Sequence, residues 1–342
     1  MYQFRNDYSE GAHPEVLAAL CATNLEGNVG YGADDYCARP AALSKEQCQC
    51  PGADVQFLIG GTQTNFTAIA AFLRPWEGVL CAQSGHINGH EAGAVEATGH
   101  KLFQAQVGPD GKLTPAHLLP FLEEGRNEHT VLPRLVYLSD ATETGGVYTK
   151  AELTALSGFC REHGLLLFLD GARLGAAFAA ENNDLTLPDL ARLTDAFYLG
   201  GTKNGALMGE ALVITNPALQ EGFFRIKKQR GGVLAKGWLL GVQFEALLKD
   251  GLYWRIARHA VEMAQRLQAG LTELGLPLLT VSESNQVFPI LPDAILPRLR
   301  EVCAFETWGR YDEGHTTLRF VTSFATKAES VDGLLAELRK ML

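Results

Sequence analysis

The sequence predicts an α/β fold with a mostly parallel sheet, because short apolar strands alternate with amphipathic helices along the chain. The clearest strand is the continuous apolar run at 165–169, which suits a parallel strand that is covered on both faces. A long helix at 254–274 has apolar residues at helical spacing, and the pattern changes after it. We therefore expect a large domain over residues 1–249, which includes an N-terminal arm, and a small α+β domain over residues 250–342.

Taken in order, the elements begin with an irregular segment. The first fifty residues contain many turn signals, among them Gly27, Gly30 and Gly32, so we expect no long regular element there. From residue 55 onward, strands, glycine turns and helices follow one another. The expected strands lie at 55–59, 79–81, 135–139, 165–169, 196–199, 287–291 and 318–321, and the expected helices lie at 65–73, 86–98, 150–163, 254–274 and 330–341.

The composition excludes several classes of protein. Apolar residues make up 46% and charged residues 20% of the chain, which excludes a disordered chain, a coiled coil and a collagen. The 29 Lys and Arg residues against 39 Asp and Glu residues give a net charge of −10. That balance argues against nucleic acid or an anionic membrane as the main partner, but it allows a local basic pocket for a small anion.

The cysteines and the N-terminal segment indicate a cytoplasmic protein. The seven cysteines are odd in number, and the segment before them lacks the apolar stretch of a secretory signal. No run approaches the roughly 18 apolar residues that a membrane-spanning helix needs. We therefore expect free thiols in a reducing compartment. Cys48 and Cys50 have the wrong spacing for a zinc site, and we expect no bound metal.

Polar residues follow directly after several of the expected strands. They are Gly61 and Thr62 before a helix, His86, Asp170 and Lys203. In open α/β sheets, ligands bind outside the carboxyl ends of the strands. Each residue alone also fits an ordinary turn, cap or loop. Together they match the needs of pyridoxal phosphate: a helix N-terminus for the phosphate, a lysine for a Schiff base, a carboxylate for the ring nitrogen and an imidazole over the ring.

Short motifs occur along nearly the whole chain, at Tyr31-Gly32 with Asp34, GTQTN at 61–65, HINGHEAG at 86–93, DGAR at 170–173 and GGTKNG at 200–205. In this order they resemble the motifs of the bacterial low-specificity L-threonine aldolases. The resemblance implies a pyridoxal phosphate enzyme of fold type I, with a seven-stranded sheet in the large domain. It also implies cleavage of L-threonine, L-allo-threonine and related β-hydroxy-α-amino acids to glycine and an aldehyde.

The resemblance implies roles for five residues around the cofactor. Lys203 would form the Schiff base with pyridoxal phosphate, and Asp170 would pair with the ring nitrogen. His86 would stack on the ring, while Gly61 and Thr62 would hold the phosphate. Cleavage leaves negative charge on the substrate Cα, and the protonated ring takes up that charge, so the carboxylate is an electronic partner of the ring.

The resemblance also implies substrate contacts and an assembly. Arg173, which also borders the cofactor, and Arg319 would bind the substrate carboxylate. Asn6 stands where relatives have a serine that commonly touches that carboxylate. Tyr31 and Lys236 would reach the cofactor site of a neighbouring subunit. The chain would therefore form a homodimer or a homotetramer.

The group that handles the substrate hydroxyl departs from the family pattern. Glu143 stands where many members have a histidine that contacts this hydroxyl, and some bacterial members are acidic there. A carboxylate would accept the hydrogen bond of the hydroxyl, so we count Glu143 as a catalytic candidate. A solvent-facing loop carboxylate is the alternative. His86, or a water held by His86 and Glu91, is a second candidate for the base that removes the hydroxyl proton.

Other functions on related scaffolds remain open at this point. A β-eliminating lyase or an aminotransferase would use the same cofactor residues. A non-enzymatic pyridoxal protein or a nicotinamide-dependent enzyme would belong to a different class. The latter is disfavoured because no G-x-G-x-x-G motif follows the first expected strand.

Overall fold

The computed structural model describes residues 1–124 and 127–342. Strands and helices alternate in the first two thirds of the chain, as the sequence predicts. The strands, in chain order, are β1 (Tyr2–Gln3), β2 (Asp54–Leu58), β3 (Glu77–Ala82), β4 (Leu102–Ala105), β5 (Leu132–Ser139), β6 (Leu166–Asp170), β7 (Ala196–Gly200), β8 (Glu210–Ile214), β9 (Gln286–Val287), β10 (Ile290–Pro292), β11 (Cys303–Ala304), β12 (Glu306–Arg310) and β13 (His315–Val321).

The helices have recognisable local starts. Helix α6 begins with a capping box, in which Thr149 and Glu152 each accept a hydrogen bond from the other's backbone N–H. The helices, in chain order, are α1 (Pro14–Thr23), α2 (Asp35–Gln47), α3 (Gly61–Phe72), α4 (His86–Gly89), α5 (Pro115–Glu124), α6 (Lys150–Glu162), α7 (Leu174–Ala179), α8 (Leu187–Leu193), α9 (Phe223–Gln229), α10 (Trp238–Lys249), α11 (Leu252–Glu273), α12 (Leu296–Val302) and α13 (Ala328–Met341).

A seven-stranded sheet in the order β2-β8-β7-β6-β5-β3-β4 forms the centre of the fold. The pairs from β7 to β4 are parallel, and only β8 runs antiparallel to its neighbours, so the predicted mostly parallel sheet is confirmed. The register pairs Ser139 with Asp170 and Gly200 with Glu210. These four residues therefore lie along one edge of the sheet, where the parallel strands end.

Both faces of this sheet are buried. Alternate residues of each central strand belong to two separate apolar clusters, as the two-residue period of a strand requires. In β6, for example, Leu167 and Leu169 lie in one cluster, while Leu166 and Phe168 lie in the other. This burial on both faces explains why the central strands read as continuous apolar runs.

A second, antiparallel sheet follows α11. It has the order β10-β13-β12, and β9 also pairs with β13. A third apolar cluster, with Leu267, Phe320 and Leu334 at its centre, packs this sheet against α11 and α13. The N-terminal strand β1 pairs with β11, and Phe4 is fully buried in the same cluster. The domain boundary near residue 250 stays a prediction.

The expectation of an irregular first fifty residues is wrong, because α1 and α2 lie there. Pro14 takes the first position of α1 and His13 caps it. The side chain of Asp34 accepts the backbone N–H of Cys37 and caps α2. The glycine signals mark only the connection between these two helices.

The expected helix at 86–98 also differs from the structure. Only α4 and a 3-10 turn at Glu96–Thr98 are helical. Between them Ala92 and Gly93 have φ angles of 52° and 74°, in the left-handed region that interrupts a right-handed helix. The interruption turns the chain so that Glu91 is buried, with 6% of its surface exposed.

All seven cysteines are free thiols, as expected from the sequence. Among the helices of the described ranges, none combines the length and the hydropathy needed to cross a bilayer.

Candidate active site

Two adjoining cavities lie at the carboxyl edge of the large sheet. The inner cavity has a volume of about 280 Å³, and the outer cavity has a volume of about 540 Å³ and extends to the small sheet. Both are bordered by Tyr8, His86, Glu143, Arg173 and Lys203. The inner cavity is also lined by Gly61, Thr62, Ser139, Ala141, Asp170, Ala172, Tyr198, Thr202 and Glu210, and the outer cavity by His90, Gln286, Glu306, Thr307, Trp308 and Arg319.

Asp170, the last residue of β6, is a buried carboxylate held by two phenols. Tyr137 donates to its Oδ2 and Tyr198 to its Oδ1, both at 2.5 Å. Burial alone would raise its pKa, but the charge of His86 and the hydrogen bonds from the two tyrosines hold the pKa of Asp170 below its usual value. The structure therefore keeps a fixed negative charge in the wall of the inner cavity.

Lys203 lies in the loop between β7 and β8 and borders both cavities. Among the described residues, it forms no salt bridge within 4.0 Å. Burial and the nearby Arg173 guanidinium lower the pKa of the Lys203 amine, although Asp7 and Asp170 oppose the shift. A lysine with a lowered pKa is more readily deprotonated and can act as a nucleophile towards a carbonyl.

A hydrogen-bonded chain joins His86 to Asp170. Glu91 Oε1 lies 2.7 Å from His86 Nδ1, so Nδ1 donates to this carboxylate. The Asn65 amide donates both to Glu91 Oε1 at 2.8 Å and to Asp170 Oδ2 at 2.9 Å. Asn65 and Glu91 are buried, so this chain fixes the imidazole relative to the carboxylate.

Glu143 borders both cavities and is not a solvent-facing loop residue. Its Oε1 accepts hydrogen bonds from Ser139 Oγ at 2.7 Å and from the backbone N–H of His86 at 2.9 Å. Burial raises the pKa of Glu143, although the Ser139 hydrogen bond opposes the shift. A carboxyl with a raised pKa is better matched to proton transfer near neutrality.

Two arginines border these cavities, and within residues 1–124 and 127–342 only Arg173 has a carboxylate partner. Arg173 forms a bidentate pair with Asp7, with Nε–Oδ2 and Nη2–Oδ1 distances of 2.7 and 3.0 Å. Arg319 lies over the Trp308 ring, with its Cζ 5.5 Å from the ring centroid. Its Nε is buried without a hydrogen-bond partner among the described residues. An unpaired guanidinium of this kind is suited to an anionic ligand.

The start of α3 faces the inner cavity through Gly61 and Thr62. The N-cap residue is Gly60, and no side chain of the described ranges caps this helix. A Cβ atom built on Gly61 would lie 3.3 Å from the Tyr198 hydroxyl. Backbone N–H groups at the start of this twelve-residue helix are therefore available to a phosphate.

Three of the expected site residues do not line these cavities. Asn6 uses its Oδ1 to accept hydrogen bonds from Tyr8 N and Ser9 Oγ, and so shapes the turn that brings Tyr8 to the cavity. Tyr31 and Lys236 are exposed, and Tyr31 borders a separate surface groove that is also lined by residues of β2. Neither residue lines the inner cavity of its own chain.

Sequence reasoning missed several residues of this site. The sequence carried a signal for Tyr137 and Tyr198, because both are tyrosines within apolar strands. A buried phenol needs a hydrogen-bond partner, so a polar group beside each could have been predicted. Asp7 carried no such signal, because it acts through Arg173, which is 166 residues away in the chain. The expected residues Gly61, Thr62, His86, Glu143, Asp170, Arg173, Lys203 and Arg319 all border one or both cavities.

Comparisons with known proteins identify the family of this chain. The model of the β-eliminating lyase family matches residues 3–294. A low-specificity L-threonine aldolase of Pseudomonas sp. is 33% identical, with 99% of this chain and 98% of the relative covered. A solved threonine aldolase structure from Leishmania major is 48% identical, with a TM-score of 0.98 and coverage of 100% and 99%.

A more distant structure bears on the fold alone. An aspartate aminotransferase from Thermus thermophilus is 19% identical, with a TM-score of 0.74 and coverage of 100% of this chain and 92% of that one. The predicted fold type I is thereby confirmed. The chain belongs to the β-eliminating lyase family, in the branch that contains the threonine aldolases.

Proposed function

We propose that this protein is a pyridoxal phosphate-dependent lyase that cleaves L-threonine, L-allo-threonine and related β-hydroxy-α-amino acids to glycine and an aldehyde. One observation carries the proposal. The amine of Lys203, the carboxylate of Asp170 and the guanidinium of Arg319 border two adjoining cavities that share Lys203 and Arg173. Together the cavities offer a cofactor lysine, a partner for a ring nitrogen and an anchor for a substrate carboxylate. The membership of the threonine aldolase branch supports the same reaction.

The residues of the inner cavity fit pyridoxal phosphate. Lys203 would hold its carbonyl carbon, Asp170 its ring nitrogen, and His86 its ring face. Gly61 and Thr62, at the uncapped start of α3, would hold its phosphate. When bound, the cofactor supplies a ring that accepts the negative charge left on the substrate.

The residues of the outer cavity would orient the substrate. Arg319, together with the Nη1 of Arg173, would bind the carboxylate and fix the direction of the bond to be broken. Glu143 and His86 lie side by side, joined by the hydrogen bond from His86 N to Glu143 Oε1. Glu143, His86, or a water held by His86 and Glu91 would take the proton of the β-hydroxyl group.

Product analysis tests the reaction. Incubation of the purified protein with pyridoxal phosphate and L-threonine should release glycine and acetaldehyde in equal amounts. Formation of a 2-oxo acid and ammonia would instead support β-elimination, and transfer of the amino group to a 2-oxo acid would support an aminotransferase. A panel of β-hydroxy amino acids then defines the side chain that the outer cavity prefers.

Glu143→Gln should lower kcat for threonine cleavage while the visible absorbance of the bound cofactor is kept. The amide keeps the size of the side chain and an oxygen acceptor, but it cannot take a proton. Replacing the charged acceptor by a neutral one removes a charge-assisted interaction, which corresponds to about 1.5–3 kcal/mol, or roughly 10- to 150-fold in rate. Steady-state kinetics of the variant measure this loss. The exposed Glu273 at the end of α11 gives the control Glu273→Gln, and equal kcat and KM values in both variants would remove Glu143 from the reaction.

We further propose that the chain forms a homodimer or homotetramer in which Tyr31 and Lys236 complete the site of a neighbouring subunit. Tyr31 borders a surface groove of about 480 Å³ and is 54% exposed. Leu25, Val29 and Phe224 are also exposed at 96%, 65% and 51%. Exposed apolar side chains of this kind favour a protein interface. The free cysteines support a cytoplasmic location for this assembly.

Light scattering should therefore give a mass of two or four chains. A mixture of the Lys203→Ala and Tyr31→Ala variants, after subunit exchange, should recover activity. In a random mixture about a quarter of all sites would carry neither substitution, because each closed dimer contains two equivalent sites. Absence of recovery in a mixture that has exchanged subunits would contradict the shared site, as would a fully active monomer.

A further inference from the structure

Glu210 is a buried carboxyl group in the wall of the inner cavity, 2% exposed. It is the first residue of β8 and pairs with Gly200, the last residue of β7. Its side chain shares a face of the sheet with Leu212 and Ile214, two and four residues further along the strand. Leu212 and Ile214 lie in the same apolar cluster as Tyr198, so Glu210 is on the side of the sheet that carries the Asp170 carboxylate.

Glu210 fastens the loop that carries Lys203. Its Oε2 accepts the backbone N–H of Gly201 at 2.9 Å. The same N–H and that of Thr202 also reach the carbonyl oxygen of Gly209, each at 3.0 Å. The loop between β7 and β8 is therefore hydrogen-bonded to Glu210 and to its neighbour Gly209. These bonds fix the backbone position from which the Lys203 side chain extends.

Glu210 and Lys203 influence one another electrostatically. Burial raises the pKa of Glu210 to about 8, and the charge of Lys203 opposes that shift. Burial and Arg173 lower the pKa of Lys203, and the charge of Glu210 opposes that shift. The charge state of each group therefore affects the pKa of the other. The other titratable groups that face this pair are Asp7, His90, Asp170, Arg173, Tyr198 and Tyr253.

We propose that Glu210 is a positioning residue that holds the Lys203 loop and places a second titratable group in the inner cavity, where its negative charge favours the ammonium form of Lys203. The inference rests on the proposed role of Lys203 as the cofactor lysine, but not on the identity of the substrate.

The test measures the titration of Lys203 without cofactor. The cofactor-free protein is treated with a trace of acetic anhydride at a series of pH values, and mass spectrometry gives the acetylation rate of the Lys203 peptide. Lys249 at the exposed end of α10 serves as an internal reference. In Glu210→Gln the midpoint of the Lys203 profile should fall by about one pH unit, because the amine loses a negative neighbour. In Glu210→Asp, which keeps a carboxylate, the midpoint should lie between the Glu210→Gln and wild-type values.

A matched control is Glu77→Gln. Glu77 is also a buried carboxyl, 8% exposed, but it lies at the start of β3, at the opposite edge of the sheet. This variant should leave the Lys203 midpoint unchanged. Equal midpoints in wild type and Glu210→Gln would overturn the proposal, as would an equal shift in Glu77→Gln.

Wild-type protein provides a second measurement if Glu210→Gln does not fold. Two electrostatically coupled groups titrate in two steps, so the wild-type Lys203 profile should show two inflections. A single inflection near the ordinary lysine value would also overturn the proposal. Because the labelling needs neither cofactor nor substrate, its result is separate from the product analysis that tests the lyase reaction.

Discussion

Lys203→Ala should abolish cleavage and remove the visible absorbance of bound cofactor. The amine of Lys203 borders both cavities and has a lowered pKa, and alanine leaves no nucleophile for the cofactor carbonyl. Loss of a covalent catalytic group should reduce kcat by at least about 1000-fold. Absorbance spectra and steady-state kinetics of the purified variant measure both effects.

Lys249→Ala is the control for this result, because Lys249 is an exposed lysine at the end of α10. It should retain both the spectrum and the activity. The assignment can also be checked directly in wild type by reduction with borohydride, which should fix the pyridoxyl group on Lys203. A pyridoxyl group found on another lysine would show that the assignment is wrong.

Asp170→Asn should retain part of the cofactor binding but lose the chemical step. The carboxylate is held by Tyr137, Tyr198 and the backbone N–H of Ala172, and its negative charge would keep the ring nitrogen protonated. An amide has nearly the same shape but no charge, so the ring accepts electrons poorly. We expect kcat to fall by about 100- to 1000-fold, the range seen when a preorganised electrostatic partner is removed.

Asp195→Asn separates this effect from general destabilisation. Asp195 directly precedes β7, and its Oδ2 accepts the backbone N–H of Leu167 in β6 at 2.7 Å. This hydrogen bond lies at the start of the β6–β7 pair, whereas Asp170 lies at the end of β6. The Asp195→Asn variant should lower the thermal unfolding temperature, whereas its kcat should change little. Near-normal turnover by Asp170→Asn, with cofactor bound, would reject the electronic role.

The strand ends that carry the site could be predicted from the sequence. A parallel strand buried on both faces must be a continuous apolar run, so its end is visible where polar residues begin. Asp170 and Lys203 were found in this way, and both lie at the carboxyl edge of the sheet. His86 was placed correctly for the same reason, although the helix expected after it is broken by the left-handed Ala92 and Gly93.

The sequence by itself thus determined the α/β class, the family motifs and the residues that meet the cavities at strand ends. Only the tertiary structure decided how those residues are held and charged. Asp7 reaches Arg173 across 166 residues of chain, and Tyr137 and Tyr198 come from two different strands to the one carboxylate of Asp170. Such contacts join distant segments, and the pKa of a buried group depends on every charge and hydrogen bond around it. No local pattern in the chain records that environment.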